Sequence, residues 1–489
     1  MPNAVEAPTM SSVSARIVLA VSVVVLALVS SLVVVAIPSG DRAAAEPATA
    51  PPDDDVVAVH ADGVTGDGVD VAVLDPTGFD TDADAYADAV VAARAFGPGP
   101  TVGPNAGDVH GTRSARQVAA VAPNASLHLA GFDGETGYGR AMAWAVRQDV
   151  DVVVVPAAFH GKPGTGESVV ENVTSRAVAR GVVVVVAAGN TARGTYRATY
   201  DRVRNGALVV EDGVRNYLRG DDRVVRAWLS WTDAGPEESY ALELYRVTDT
   251  GSRLVARSVP YEADREPNAR LNVRVEPGTH FLVVRGPDRP TGSTVRVTSA
   301  TNGLQHVTVR GSLVAPATAD GVLAVGAWNP VQGRLAAYSS SGPTLAGQGV
   351  DVVATARADD GFRGSSVAAA RAGGVAALVR AVRPNATPAV VESYLERTAR
   401  DVGVEGVDAR TGGGLLRPER AVTAALADAR NTTVDPGTTS AALQARADST
   451  PDAPGSSTPG APDTSTLPFV ANAAVLFAYA GARTTQARV

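Results

Sequence analysis

The sequence predicts an α/β protein: a doubly wound, mostly parallel sheet with helices on both faces, interrupted by an antiparallel β-sandwich and preceded by a hydrophobic helix at the N-terminus. Three observations carry this reading. Valine-rich runs (VDVAVL, LHLA, VDVVVV, GVVVVVAA) alternate with Ala-rich helical stretches at 83–95, 137–148 and 167–180. Strands that read as continuous apolar runs are buried on both faces, which a parallel sheet covered by helices provides. Between 203 and 312 the texture changes to short alternating segments, RAWLSW, YALELYRV, RLNVRV, HFLVVRG and STVRVTS, with turn residues between them, as in an antiparallel sandwich. From 313 to 430 the first texture returns, with helices expected through SVAAARAGGVAALVRAV and TPAVVESYLERTA, so the sandwich is read as an insertion in one α/β domain.

Taken in order, residues 1–16 are expected as a cytoplasmic tail. Residues 17–37, IVLAVSVVVLALVSSLVVVAI, are an uncharged apolar run of 21 residues. At ~1.5 Å per residue that run crosses a ~30 Å hydrocarbon layer. It reads as a transmembrane signal anchor. The alternatives are a buried core helix, or a cleaved signal peptide with Ala43, Ala44 and Ala45 as the small-residue site, although the run exceeds a normal h-region. As anchor or as signal peptide it exports the remainder of the chain, which places the folded part outside the cytoplasm, at the cell membrane or secreted. Residues 38–62 read as a Pro/Ala/Asp-rich tether, and the α/β domain starts near GVTGDGVDVAVLD, giving a first part at 63–202 and a second at 313–430 around the sandwich at 203–312. Residues 431–466 are rich in Ser, Thr, Pro, Asp and Gly, too poor in apolar groups to pack, and read as a disordered stalk. LPFVANAAVLFAYAGA at 467–482, followed by Arg483 and Arg488, is either a second membrane segment with its basic end in the cytoplasm or an interfacial or docked helix.

Composition narrows the chemistry. A chain of 489 residues with 45% apolar side chains can bury a sizeable core, which fits a globular enzyme. A formal charge of -8 argues against a nucleic-acid surface, which needs clustered Lys and Arg to displace phosphate counterions. Lys162 is the only lysine, and the other basic residues that carry a full charge are arginines. Cysteine is absent, which excludes a thiol nucleophile, a Cys-ligated metal and any disulfide framework. No GxGxxG or P-loop follows a strand, which leaves a nucleotide-binding α/β protein with little support.

Hydrolysis of a peptide without thiol or metal needs a hydroxyl nucleophile, a base, a carboxylate that orients the base, and donors for the oxyanion. One candidate stands for each. Asp75 ends the run VDVAVL, at the carboxyl edge where open α/β sheets place ligands. His110 opens HGT just ahead of the helical stretch SARQVAAVA, and Asn190 closes VVVVVAAGN at another strand end. Ser366 lies in GSSVAAA, where a Gly-containing turn enters an Ala-rich helix and a hydroxyl meets the positive end of the helix dipole. Singly, each residue is as readily a cap, a turn or a structural histidine. The ordered set is what points to chemistry.

The segments GVDVAVLDPTGFD, HGTRSARQVAAVAPNASLHLA, GVVVVVAAGN, ATADGVLAVGAWN, AAYSSSGPT and GSSVAAARAGGVAALVRAVRPNATPAVVESYL occur in the order seen in the subtilisin-like serine proteases, which the chain resembles over most of residues 63–425. The resemblance implies a serine endopeptidase in which Asp75 orients the imidazole, His110 is general base and then acid, and Ser366 attacks the scissile carbonyl. Asn190 and the Ser366 backbone N–H would hold the oxyanion, while Ala157, Ala158 and Gly189 would line the substrate. It implies a polypeptide substrate, no organic cofactor and no catalytic metal. Relatives often bind structural calcium, for which the Asp-rich stretch 80–88 would supply carboxylates. The inserted segment resembles the small jelly-roll modules that accompany secreted proteases, with a role in substrate access or in stability.

Several positions depart from the family pattern. Ser365 stands where the serine motif usually has Thr, Ala370 where it has Pro, and Arg113 where HGTH has its second His. The turn DPTG is one residue longer than the common form, so Pro76 would move the Asp75 carboxylate, and catalysis is sensitive to shifts of ~1 Å. In VVVVPAAFHG, Pro156 removes an N–H from the edge on which relatives pair their substrate. His160 in the same segment reads as a surface-loop histidine rather than a second catalytic group. About 25 residues lie between the apolar run and the domain, too few for the folded propeptide of many relatives. These departures favour the rival reading, an inactive subtilisin-like domain that binds peptides or proteins at the cell surface, whereas the full set Asp75, His110, Ser366 and Asn190 favours the enzyme.

Overall fold

Val71 and Val73 of strand β1 (Asp70–Asp75) point into one apolar cluster and Ala72 and Leu74 into another, and all four are fully buried. The same alternation holds for β4 (Val152–Val155) and β5 (Val183–Ala187), which come after β2 (Val90–Phe96) and β3 (Ser126–Phe132) in the chain. Each valine so enclosed contributes about 1.5–3 kcal/mol of burial free energy, which is why uninterrupted apolar runs form the middle of the sheet. The computed structural model of the protein describes residues 54–232, 240–260 and 266–433. The expected tail 1–16, anchor 17–37, tether residues 38–53, the stalk beyond Thr433 and the segment 467–482 lie outside the described residues.

With β6 (Leu323–Asn329), β7 (Arg334–Leu335) and β8 (Val352–Thr355), the strands form a mixed sheet in the order β7-β6-β5-β4-β1-β3-β2, with β8 also paired to β6. Every pairing is parallel except that of β7 with β6. On one face lie α1 (Asp54–Ala61), α2 (His110–Val121), α5 (Ser365–Val382), α6 (Pro388–Arg397) and α7 (Pro418–Thr433). On the other lie α3 (Gly134–Arg147) and α4 (Val169–Val178). Among the described residues, α5 is the one helix long and apolar enough to cross a membrane, and it is the buried central helix of the domain.

Two expectations about the α/β domain are corrected. The stretch 83–95 is not helical: beyond a short 3₁₀ turn at Ala87–Ala89, β2 pairs in parallel with β3 as the sheet's edge strand. Its alanines have high helix propensity, but pairing along the open edge overrides that preference. The tether expected at 38–62 ends early, because α1 buries Val56 and Val59 in the core and His60 Nε2 bonds the Val121 carbonyl at 2.9 Å. The i, i+3 spacing of the two valines puts both on one helical face.

Between β5 and β6 the chain forms two antiparallel sheets that share an apolar core containing Leu229, Leu242, Leu244, Leu271, Leu282 and Val297. One has five strands in the order Val259–Pro260, Asn268–Arg274, Val224–Trp231, Thr294–Ser299, Thr195–Thr199. The second is built around Ala241–Thr248 and His280–Arg285. The five-stranded sheet takes in Thr195–Thr199, ahead of the boundary expected at 203, because that strand pairs with Thr294–Ser299.

Candidate active site

Asp75 is the last residue of β1 and is fully buried. A buried carboxylate needs donors for its oxygens, and the adjoining turn supplies them: Thr77 donates its backbone N–H (2.9 Å) and its hydroxyl (2.6 Å) to Oδ1. Oδ2 lies 2.6 Å from His110 Nδ1. A carboxylate only accepts, so Nδ1 is the donor of this bond, which leaves Nε2 as the ring nitrogen that can serve as a base. The turn that contains Pro76 thus holds the Asp75 carboxylate through Thr77. Thr77 Oγ1 also accepts the Gly111 N–H at 3.0 Å, fastening the turn to the start of α2. Only glycine fits at 111, where a Cβ would come within 2.2 Å of the Gly78 carbonyl oxygen.

His110 opens α2 and is nearly enclosed. The ring of Phe362 meets its imidazole edge-on, at 5.1 Å between centroids and 87° between planes. Arg113, in place of the second His, lies 5.9 Å above the same phenyl ring and pairs with Asp108 at 2.7 Å. Phe362 has no signal in the sequence, since it comes from the irregular segment ahead of α5.

Ser366 is the second residue of α5 and is 6% exposed. Its hydroxyl donates to the Pro156 carbonyl at 2.7 Å, just past the end of β4, so no hydrogen bond joins it to His110 in this structure. Pro156, read as the loss of a donor, here serves as an acceptor. Two links place the serine beside the other groups: β4 is the neighbour of β1, which ends at Asp75, and α2, which begins at His110, packs along α5.

Asn190 comes three residues after β5 and its Oδ1 accepts the Ser365 N–H at 3.0 Å, which turns the Nδ2 donor toward the head of α5. Gly364 caps that helix with φ 131°, a conformation for glycine, and a Cβ there would press to 3.1 Å from Asn190 Nδ2. Ser365, at the usual Thr position, keeps a hydroxyl that accepts the Gly189 N–H at 3.2 Å. Ala370 sits fully buried in α5, where the helix runs on without the family's Pro. Ala157 is buried, Ala158 is half-buried, and both continue from β4, while Gly189 continues from β5, so the three lie at the same end of adjacent strands.

His160 is not a surface-loop histidine. Its ring packs 4.7 Å from that of Trp228 in the five-stranded sheet, and neither ring nitrogen has a hydrogen-bond partner. Burial first, and the nearby Arg296 charge second, push its pKa down to about 4, so it stands as a neutral packing group. In the Asp-rich stretch 80–88, Asp80 Oδ1 accepts the N–H groups of Asp82 and Asn105 at 3.2 and 3.0 Å. Among the described residues, the trio whose ligand atoms lie within 4.8 Å of one another is Asp351, Glu392 and Glu396.

The architecture and the sequence both have relatives. Subtilisin E of Bacillus subtilis is 35% identical over 149 residues, covering 27% of this chain and 37% of that protein. Subtilisin Savinase of Lederbergia lenta is 34% identical over 160 residues, covering 29% of this chain and 56% of that protein. The chain therefore matches less than two thirds of the length of these relatives. The structure of the Clostridium perfringens CspB protease superposes with a TM-score of 0.53 at 16% identity, covering 76% of this chain and 97% of that one, a likeness of fold. The profile of the Subtilase family matches residues 66–217 and 274–414, breaking off only within the antiparallel sheets. Matched over more than half of its length, the chain belongs to the subtilase family.

Proposed function

We propose that the chain is a serine endopeptidase that cleaves polypeptides through an acyl-enzyme, with Asp75, His110 and Ser366 as its triad. The observation that carries the reading is the Asp75–His110 bond at 2.6 Å, with the carboxylate pinned from behind by Thr77. In the proposed cycle the Ser366 hydroxyl turns about its Cα–Cβ bond from the Pro156 carbonyl to His110 Nε2. Catalytic hydrogen bonds of this kind commonly close only when substrate is present. Nε2 takes the hydroxyl proton as Oγ bonds to the scissile carbonyl carbon, and Asp75 stabilises the imidazolium without itself taking the proton. Asn190 Nδ2 and the Ser366 N–H receive the charge that develops on the carbonyl oxygen. His110 then returns the proton to the leaving amine, and water repeats the sequence to free the acid and regenerate Ser366. No organic cofactor and no metal enters these steps. Ala157, Ala158 and Gly189 are the backbone edge along which the substrate would lie, with backbone pairing giving affinity and the spaces between giving preference.

The apolar run at 17–37 supports a location at the cell membrane with the catalytic domain outside the cytoplasm. Retention of the protein in membranes extracted with alkaline carbonate tests that part. The chemistry is tested with a fluorophosphonate probe, comparing the protein with Ser366→Ala. Labelling is expected only in the protein that keeps the hydroxyl, and equal labelling overturns the enzymatic reading.

A further inference from the structure

Two segments border the proposed substrate edge: Pro156–Lys162, leaving β4, whose first carbonyl accepts the Ser366 hydroxyl, and Ser312–Ala315, ahead of β6, whose Val314 packs against Gly189. They are joined to each other, since Phe159 N–H donates to the Ala315 carbonyl at 2.7 Å, and to the exit of β5, since Val314 N–H donates to the Ala188 carbonyl at 3.3 Å. A run of backbone contacts therefore connects the edge at Ala157–Ala158 with the edge at Ala188–Gly189. A shift of either segment moves both sides of the place where the substrate would lie.

The inserted five-stranded sheet grips both segments. Arg296, buried, donates Nη2 to the carbonyls of Ser312 (3.1 Å) and Leu313 (2.7 Å). Ser230 Oγ donates to the Lys162 carbonyl at 3.3 Å, and the Trp228 ring lies so close to Gly161 that a Cβ there would come within 2.8 Å of it. The charge at the centre is Lys162, whose Nζ is 2.7 Å from Glu135 Oε1 on α3 and 3.1 Å from Glu266 Oε2, two residues before the strand Asn268–Arg274. The lysine side chain is 2% exposed. An ammonium is a compact point charge with three donors, which suits two carboxylates converging from different elements better than the planar fork of arginine. The sole lysine of the chain stands at this junction.

We infer that Lys162 is a positioning residue for peptide substrate: held between Glu135 of the α/β domain and Glu266 of the inserted sheet, it fixes the Pro156–Lys162 segment in the place where a substrate backbone would pair. The inserted sheet thereby sets substrate affinity from outside the reacting groups. The inference rests on the endopeptidase reading above. Breaking a buried ion pair from one side leaves a charge without its counterpart, so the segment is expected to move once Lys162 is removed. Such a movement weakens binding along the edge, whereas Asp75, His110 and Ser366 stand on β1, α2 and α5, outside the segment.

The test compares the full chain with Lys162→Met and Glu266→Gln in two measurements. One is the rate of labelling by a small alkyl fluorophosphonate, which needs the serine and oxyanion donors but no extended edge. The other is hydrolysis of a long fluorogenic peptide, with kcat and KM resolved. For both variants the labelling rate is expected to stay within about twofold of the parent while KM for the peptide rises by about tenfold or more at nearly constant kcat. Labelling that falls in step with peptide turnover overturns the inference, because the cluster is then only a brace for the fold. Parameters equal to those of the parent in both variants overturn it as well. A parent protein that neither labels nor cleaves overturns the endopeptidase reading, and this inference with it.

Discussion

The hydroxyl of Thr77 lies 2.6 Å from Oδ1 of Asp75, on the opposite side of the carboxylate from His110. Together with the Thr77 backbone N–H it anchors Oδ1 and leaves Oδ2 to the imidazole. Replacing Thr77 with Val keeps the shape, removes this bond and leaves the Gly111 N–H without its acceptor. Turnover is expected to fall by about tenfold, equivalent to ~1.4 kcal/mol of transition-state stabilisation, with KM little changed. Steady-state kinetics on a peptide substrate decide it, and a rise in KM alone would remove Thr77 from the chemistry.

Asn190 accepts the Ser365 N–H at Oδ1, and in the proposed cycle its Nδ2 is the donor to the oxyanion. Asn190→Ala is expected to lower kcat by about 10²–10³ with KM nearly constant, the loss known for such a donor in a subtilisin. Because the side chain also secures the first turn of α5, a thermal melt accompanies the kinetics. A drop in turnover matched by a collapse of the melt would assign Asn190 to structure instead.

Stability should depend on pH through Glu392. Burial, and then the charge of Glu396, raise its pKa to about 7 from an ordinary 4.5, and Asp351 and Glu396 are displaced in the same direction by their own burial. A carboxyl with a raised folded-state pKa holds its proton more tightly when folded, so below the unfolded value both states are protonated and nothing is lost. As pH rises from about 4.5 to about 7 the unfolded chain releases its proton first, and stability declines until the folded group has titrated too. Glu392→Gln is therefore expected to raise Tm at pH 8 and to differ little from the parent at pH 5. Melting curves across that range check it, and a gain at pH 5 equal to that at pH 8 would sink the argument.

The residues that end strands and start helices are legible in the sequence. Asp75, Asn190 and Ser366 sit at breaks between an apolar run and a turn, and His110 precedes an obvious amphipathic stretch, which marks their places in the fold, while their expected roles come from the resemblance to the family. Phe362 is not legible, because it acts through a fold-back that no local pattern encodes, whereas Thr77 makes a local i, i+2 contact within the DPTG turn and only its reach to Gly111 is hidden from the sequence. β2 reads as a helix since its alanines and exposed arginine suit one, while its pairing with β3 is set by the sheet. Lys162 is conspicuous as the sole lysine, yet its partners lie on α3 and on the inserted sheet, far away in the chain. His160 reads as a surface residue because nothing nearby in the sequence announces Trp228.

β5 and β6 lie side by side, yet both antiparallel sheets are threaded between Ala187 and Leu323. The half of the molecule that carries the imidazole and its carboxylate is thus made well before the half that carries the hydroxyl. Long-range strand pairing of this kind is slow, because the intervening loop has to be closed before any contact rewards it. In the proposed enzyme the nucleophile is therefore the last of the three groups to be synthesised, and cleavage has to wait until the segment carrying it has joined β4 and α2.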